Sequence, residues 1–161
     1  MARSGASLAD IEDVYTRRGR DFYRVALART RNASLAQEVV QEGFARAIRA
    51  RGGFRATGSL EAWIGRCVLN AAADALARER RTGDTADAFV GSFDDEPPDV
   101  DVRRALCELP PRQRDALFLR FYLDFDYGTI ADTLGIEVGT VSATLHAARN
   151  ALARALQEVP R

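Results

Sequence analysis

Tyr127-Gly128-Thr129-Ile130-Ala131-Asp132-Thr133-Leu134-Gly135-Ile136-Glu137-Val138-Gly139-Thr140-Val141 is the stretch that decides the fold. Ala131, Gly135 and Val141 have the spacing of a helix-turn-helix. A small residue lets two helices cross closely, glycine permits a left-handed turn, and a branched apolar residue locks the second helix onto the first. The spacing predicts a first helix over Tyr127 to Leu134 and a second from about Gly139, with Val141, Leu145, Ala148 and Leu152 on one face. In such a motif the second helix enters the major groove of DNA. Helical hairpins with Gly in the turn also occur as plain packing units, so the rest of the chain has to decide between the two.

Working outward, a short helix is expected around Val102 to Leu109, stopped by Pro110-Pro111. The next starts near Arg112 and carries Ala116, Leu117, Phe118, Phe121 and Tyr122 before Asp124-Phe125-Asp126 turns the chain. Three further stretches repeat apolar residues at helical spacing. The first runs through Leu8, Ile11, Val14, Tyr15, Phe22, Val25 and Ala26, with a break or bend expected at Gly19. The second starts at a capping box, Ser34-Leu35-Ala36-Gln37, and continues through Val39, Val40, Phe44, Ala47 and Ile48. The third takes Ser59 as N-cap and runs through Leu60, Trp63, Ile64, Cys67, Val68, Ala71, Ala75 and Leu76 to Arg78-Glu79-Arg80-Arg81. No window shows the two-residue alternation of a half-buried strand, so the class is all-α.

The chain has 161 residues, 47% of them hydrophobic, and 23 basic residues balance 23 acidic ones. None of the basic residues is Lys, which excludes a P-loop and a Schiff-base enzyme. One His and two Cys, Cys67 and Cys107, give no zinc motif, and both thiols are expected to be reduced parts of the core. No nucleophile-base-orienter set surrounds His146, so no catalytic residue, metal or cofactor is expected. No apolar run is long enough for a membrane span and the N-terminus lacks a signal-peptide core, so a cytoplasmic protein without membrane insertion is expected.

The zero net charge hides a pattern. Residues 1–81 carry 15 Arg and 9 acids, residues 82–101 carry 7 acids and no Arg, and residues 102–161 carry 8 Arg and 7 acids. The middle block, with Asp94-Asp95-Glu96-Pro97-Pro98-Asp99, reads as a flexible acidic linker in which Phe89, Val90 and Phe93 are candidates to dock elsewhere. Such a segment buries too little apolar surface to offset its ordering entropy.

Leu109-Pro110-Pro111-Arg112-Gln113-Arg114-Asp115-Ala116-Leu117-Phe118-Leu119-Arg120, with Tyr127-Gly128-Thr129-Ile130-Ala131 and Val138-Gly139-Thr140-Val141, resembles the promoter-binding domain of extracytoplasmic-function sigma factors of the sigma-70 family. Glu38-Val39-Val40-Gln41-Glu42-Gly43-Phe44-Ala45-Arg46-Ala47 resembles the helix by which their N-terminal domain holds RNA polymerase. Ala62-Trp63-Ile64-Gly65-Arg66-Cys67-Val68-Leu69-Asn70 resembles the helix leading into minus-ten recognition. The likeness runs from about Asp10 to Leu156. It implies two small helical domains: a sigma-2-like bundle over 8–81 that binds core polymerase and recognises and melts the minus-ten element, and a sigma-4-like helix-turn-helix domain over 102–158 that reads the minus-thirty-five element. The linker over 82–101 is implied to thread the polymerase along the path of the new RNA.

The resemblance also implies site residues. Polymerase binding falls to Glu38, Gln41, Glu42, Arg46 and Arg49, on the helix face opposite Val40, Phe44 and Ile48. Minus-ten DNA binding falls to Arg66, Asn70, Arg78, Arg80 and Arg81. The Asn70 amide offers a donor and an acceptor to a flipped base, although Asn70 also reads as a helix-end residue or local cap. Minus-thirty-five binding falls to Thr140, Ser142, Thr144, His146, Arg149 and Asn150. Implied partners are RNA polymerase core, promoter DNA and an anti-sigma factor.

Two features depart from the family pattern. Ser142, Thr144 and Ala147 stand where the recognition helix is usually basic, leaving Arg149 alone. Gly43 interrupts the polymerase-binding helix, at a propensity cost of about 1 kcal/mol relative to Ala or to admit a neighbouring helix. A sigma-like adaptor with weakened DNA binding, or a helix-turn-helix regulator of another class, therefore stands beside the alternative sigma factor. With the chain stopping at Arg161, regulation is expected from a separate chain or from expression level.

Overall fold

A computed structural model describes residues 5–83 and 100–158. Seven α-helices follow in order: α1 Leu8–Thr30, α2 Ala33–Ala50, α3 Leu60–Thr82, α4 Val100–Glu108, α5 Pro111–Phe121, α6 Tyr127–Leu134 and α7 Val138–Gln157, with one 3-10 turn at Arg51–Gly53. The acidic stretch, with Phe89, Val90 and Phe93, lies outside the described residues apart from its ends.

The α1–α2–α3 bundle forms where apolar periodicity and caps coincide. Ser7 caps α1 in a capping box with Asp10, and the helix runs unbroken past Gly19, where a break was expected. Tertiary packing of Ile11, Val14, Phe22 and Val25 outweighs the cost of one helical glycine. The capping box expected at Ser34 does not form, and the helix starts two residues upstream with a simple N-cap. Asn32 is the N-cap, its side chain accepting from the Leu35 N–H, because α1 ends at Arg31 in the left-handed region and leaves Asn32 extended. Ser59 caps α3 as expected, accepting from the Ala62 N–H, and Gly83 closes it in the left-handed region. Asn70 lies in the middle of this unbroken helix and is exposed, so it is neither a helix-end residue nor a cap.

Gly43 has a packing reason. A Cβ there would lie 2.6 Å from Val68 Cγ2 and 2.7 Å from its Cα, so α2 and α3 touch backbone to backbone at this point. The second unit follows its sequence closely. Pro111 opens α5, Asp126 caps α6 by accepting from the Thr129 N–H, and Gly135 turns the chain at φ 66°. Ala131, Val141, Leu145 and Ala148 are buried between the helices. Phe121, expected on an apolar face, is instead 64% exposed.

The two units pack against each other, α1 on α5 and α3 on α6. Beside Gly65 of α3, Phe22, Phe125 and Thr133 meet: a Cβ on Gly65 would lie 3.5 Å, 3.8 Å and 3.1 Å from them. Arg114, almost fully buried, ties the seam together. Its guanidinium donates to Leu106, Cys107 and Leu109 carbonyls at the end of α4 and to the Ala28 carbonyl of α1. These carbonyls lie at or just past the ends of α4 and α1, where intrahelical donors run out, and one guanidinium satisfies several of them; the Leu106 carbonyl also accepts from the Leu109 N–H at 3.3 Å.

Candidate functional site

Three surfaces emerge, one between α2 and α3, one along α3 and one on α7. Between α2 and α3 lies a groove of about 480 Å3, lined by Glu38, Gln41, Glu42 and Arg46 from α2 and by Ala71, Ala75 and Arg78 from α3. Small residues at 71 and 75, one turn apart, leave the space that charged side chains rim. Arg46 donates from Nε to Glu42 at 2.8 Å and from Nη1 to Asp74 at 2.8 Å, and Arg49 reaches Glu42 at 3.1 Å. Hydrogen bonding to Arg46, ahead of the charge of Arg49, holds the Glu42 carboxyl below its usual range. The same bond, followed by that to Asp74, raises Arg46.

The network thus crosses from helix to helix, and Asp74 is a member that sequence reading missed. Its signal was available, since Asp74 lies one turn before Arg78 and one turn after Asn70 on α3. Glu42 is half-buried on the groove's rim.

Along α3, Arg66, Asn70, Arg80 and Arg81 share one exposed face. Arg78 does not join them; at about 100° per residue it is turned well away, into the α2–α3 groove. Arg66 donates to the Asp132 carbonyl of α6. Trp63 packs on Phe54 of the preceding loop with ring centres 5.4 Å apart. Cys67 is half-buried, and burial pushes its thiol up, consistent with a small inert core residue.

On α7, Ser142, Ala143, His146, Ala147 and Asn150 form the outward face. These five are uncharged, with exposed Arg149 on one edge and exposed Arg154 one turn beyond Asn150. His146 Nε2 and Asn150 Nδ2 lie 3.1 Å apart. Thr140 is exposed, whereas Thr144 is half-buried and donates its hydroxyl to the Thr140 carbonyl at 2.7 Å, so it is not free for a base. Arg149 lies over the Phe121 ring, 5.9 Å from its centre, on the flank toward α5.

The fold joins a helix-turn-helix to a bundle with a charged interhelical groove, a combination that the family comparison recognises. The chain matches sigma-70 region 2 over residues 14–82 and sigma-70 region 4 over residues 99–158. It is 34% identical over 149 residues to the RNA polymerase sigma-H factor of Pseudomonas aeruginosa, covering 81% of this chain and 77% of that one. It is 32% identical over 152 residues to the ECF RNA polymerase sigma factor SigM of Mycobacterium tuberculosis, covering 90% and 76%. The sigma factor RpoE of Bartonella quintana, solved with the anti-sigma factor NepR, has the same fold at a TM-score of 0.73 and 22% identity, over 95% of this chain and all of that one.

The chain belongs to the sigma-70 family, in its extracytoplasmic-function group, and is an RNA polymerase sigma factor that directs promoter-specific initiation. The sigma factor family is in general not enzymatic. No helix among the described residues is long and apolar enough to cross a membrane.

Proposed function

We propose that the α2–α3 groove is where this chain holds core polymerase, that the exposed face of α3 takes the minus-ten element, and that α7 meets the minus-thirty-five element. The division puts polymerase binding and melting in residues 8–81 and the second element in residues 102–158. The observation that carries it is the Glu42–Arg46–Asp74 network, a set of prepositioned charges along a groove with an apolar floor. Charges fixed in place lose little freedom on binding, and complementary charges on a partner then set orientation and encounter rate. Arg78 joins this groove rather than the DNA face in this reading, with Glu38 and Gln41 on its rim.

Asn70, exposed in mid-helix between Arg66 and Arg80, is free to present its amide to an unstacked base. The chain acts in the cytoplasm, where polymerase is, and contributes no catalytic group of its own. An anti-sigma factor is a further partner, supported by the fold shared with the RpoE complexed with NepR. Runoff transcription with purified core polymerase on genomic DNA tests the assignment. Asn70→Ala is expected to keep core binding and lose open-complex formation by roughly 1 to 3 kcal/mol, with relaxed base preference. An unchanged base preference would remove Asn70 from the site.

The sparse charge on the outer face of α7, where Ser142, His146 and Asn150 stand, favours a second reading, a sigma-like adaptor whose hold on DNA is weak. Core binding without promoter-selective transcripts would establish it.

A further inference from the structure

Two residues ahead of α1 make bonds that α1 itself does not need. Ser7 and Asp10 already cap that helix reciprocally. Gly5 nevertheless donates its N–H to the Phe54 carbonyl at 2.9 Å, and Ala6 donates to the Arg51 carbonyl at 2.9 Å. Ala6 is buried, and Gly5 stands at φ 98°, where a Cβ would lie 3.3 Å from the Arg51 oxygen and 3.4 Å from the Gly52 Cα. Glycine alone takes that backbone conformation freely, so the segment is fitted to the turn it crosses.

That turn has little of its own to hold it. Residues 51–53 and 55–59 are exposed, and Phe54 alone between them is buried. A Cβ added at Gly52 or Gly53 would meet nothing within 4 Å. Bonds inside the loop are local, from the Phe54 N–H to the Arg51 carbonyl at 3.3 Å and from the Thr57 N–H to the Arg55 carbonyl at 2.7 Å. Two glycines in a segment with few contacts carry a large ordering entropy, which the bonds from Gly5 and Ala6 offset. Phe54 in turn packs on Trp63, and with Arg55, Ser59 and Arg66 these rings wall a cavity of about 350 Å3 beside α3. Trp63, Arg66 and Asn70 follow one another at i, i+3 and i+7, on one side of the helix. Aromatic faces and guanidinium groups stack on and neutralise an unstacked strand. Gly5 and Ala6 line neither this cavity nor the α2–α3 groove.

We infer that Gly5 and Ala6 form a strap that positions the 51–59 loop, so that a melted DNA strand arriving at α3 meets a preformed wall instead of one it must order. The inference rests on the proposed reading of α3 as the minus-ten face. A wall already fixed loses little freedom on binding, and the strap therefore raises strand affinity without touching the strand. Gly5 and Ala6 are positioning residues, acting through two backbone donors. Because they precede the capping box, releasing them leaves the three-helix bundle closed over its own core.

The test uses the full chain with two strap-releasing substitutions, Gly5→Val, whose branched side chain is excluded at φ 98°, and Gly5→Pro, which also removes the donor. Amide hydrogen exchange reads the loop. Holoenzyme assembled on core polymerase is then titrated with a labelled single-stranded DNA pool of randomised sequence, and sequencing of the bound fraction reads base preference. In both variants the Phe54 and Thr57 amides should exchange faster, core affinity and melting temperature should stay native, and strand affinity should fall about fivefold, the equivalent of one ordinary hydrogen bond. Gly53→Ala added to Gly5→Val stiffens the loop at a site with room and no positive φ, and should recover about twofold to fivefold in strand affinity. Loop amides that exchange as in the native chain overturn the inference. So do faster loop amides with native strand affinity and base preference, and so does a parallel fall in core affinity or melting temperature, which marks a general role in the fold. Asn70→Ala separates the two levels: if it leaves strand affinity and base preference native, the minus-ten reading of α3 fails and the inference with it, whereas if it changes them while the strap variants do not, the strap alone is overturned.

Discussion

The α2–α3 groove and the outer face of α7 belong to the same chain and are built on opposite terms. The groove is rimmed with charges already paired across two helices. The α7 face presents two alanines, Ser142, His146 and Asn150, with Arg149 turned toward Phe121 and Arg154 one turn past Asn150. Nonspecific DNA affinity comes almost wholly from phosphate neutralisation, whereas a protein partner can be held by a few prepositioned groups. Under the proposed assignment, the contrast gives the polymerase the prepositioned charges and leaves α7 to discriminate without holding.

The largest expected effect comes from forcing apart the two helices that carry the groove where their backbones touch. Gly43→Val puts side-chain atoms where the Val68 backbone stands, and forcing α2 from α3 should cost about 3 kcal/mol, outweighing any gain in helix propensity. Thermal unfolding should show the loss, and core binding should fall with it. A native melting temperature would mean that the helices have room to spare.

The contrast can also be erased from the other side. Ser142→Arg, Ala143→Arg and Ala147→Arg together add three cations to the exposed face of α7, sparing the half-buried Thr144. Each new phosphate contact steepens the slope of log affinity against log salt by about 0.9, or about 2.7 for the three. Fluorescence titration of promoter duplex across a salt series measures this. A native slope already as steep would mean that α7 holds DNA by contacts other than its outer face.

A smaller effect concerns how the two regions are held together. Burial pushes the Asp115 carboxyl up to about 6, against the opposing pull of Arg29, Arg114 and Arg112. The pair with Arg29 is close but poorly aligned, since the facing Arg29 nitrogen makes no hydrogen bond. A carboxyl raised in the folded chain and ordinary in the unfolded one contributes stability at low pH that is lost as pH rises through about 6. Between pH 5 and pH 7 the unfolding free energy should fall by about 1.4 kcal/mol and then level off. Asp115→Asn should flatten that dependence, with urea unfolding across the pH series as the readout.

Much of this architecture was legible in the sequence because its signals are local. Ala131, Gly135 and Val141 specify a turn through sterics that act within one motif, and Ser59 caps the helix that follows it. What escaped was non-local. Whether Gly19 breaks α1 depends on the packing of Ile11 and Phe22 elsewhere in the bundle, and whether Ser34 or Asn32 caps α2 depends on how α1 ends. Asp74 joins the groove only because Gly43 brings α3 against α2. Arg114 looked like one of several basic residues in a family motif, and nothing local marks it as the group that satisfies carbonyls of both α4 and α1. The two-unit organisation was readable from charge and periodicity, but the seam between the units was not, since no residue's pattern declares its partner a hundred positions away.

The central claim is that the charged groove is the polymerase-holding surface, and titration of purified core polymerase with Glu42→Arg tests it most directly. The reversal places three arginines together at positions 42, 46 and 49 on the groove side of α2, leaving the buried face of the bundle intact. Core affinity should fall by about 2 kcal/mol, in the range of an interface hot spot, with helix content and melting cooperativity retained. A folded Glu42→Arg chain that binds core polymerase as tightly as the native chain would contradict the account.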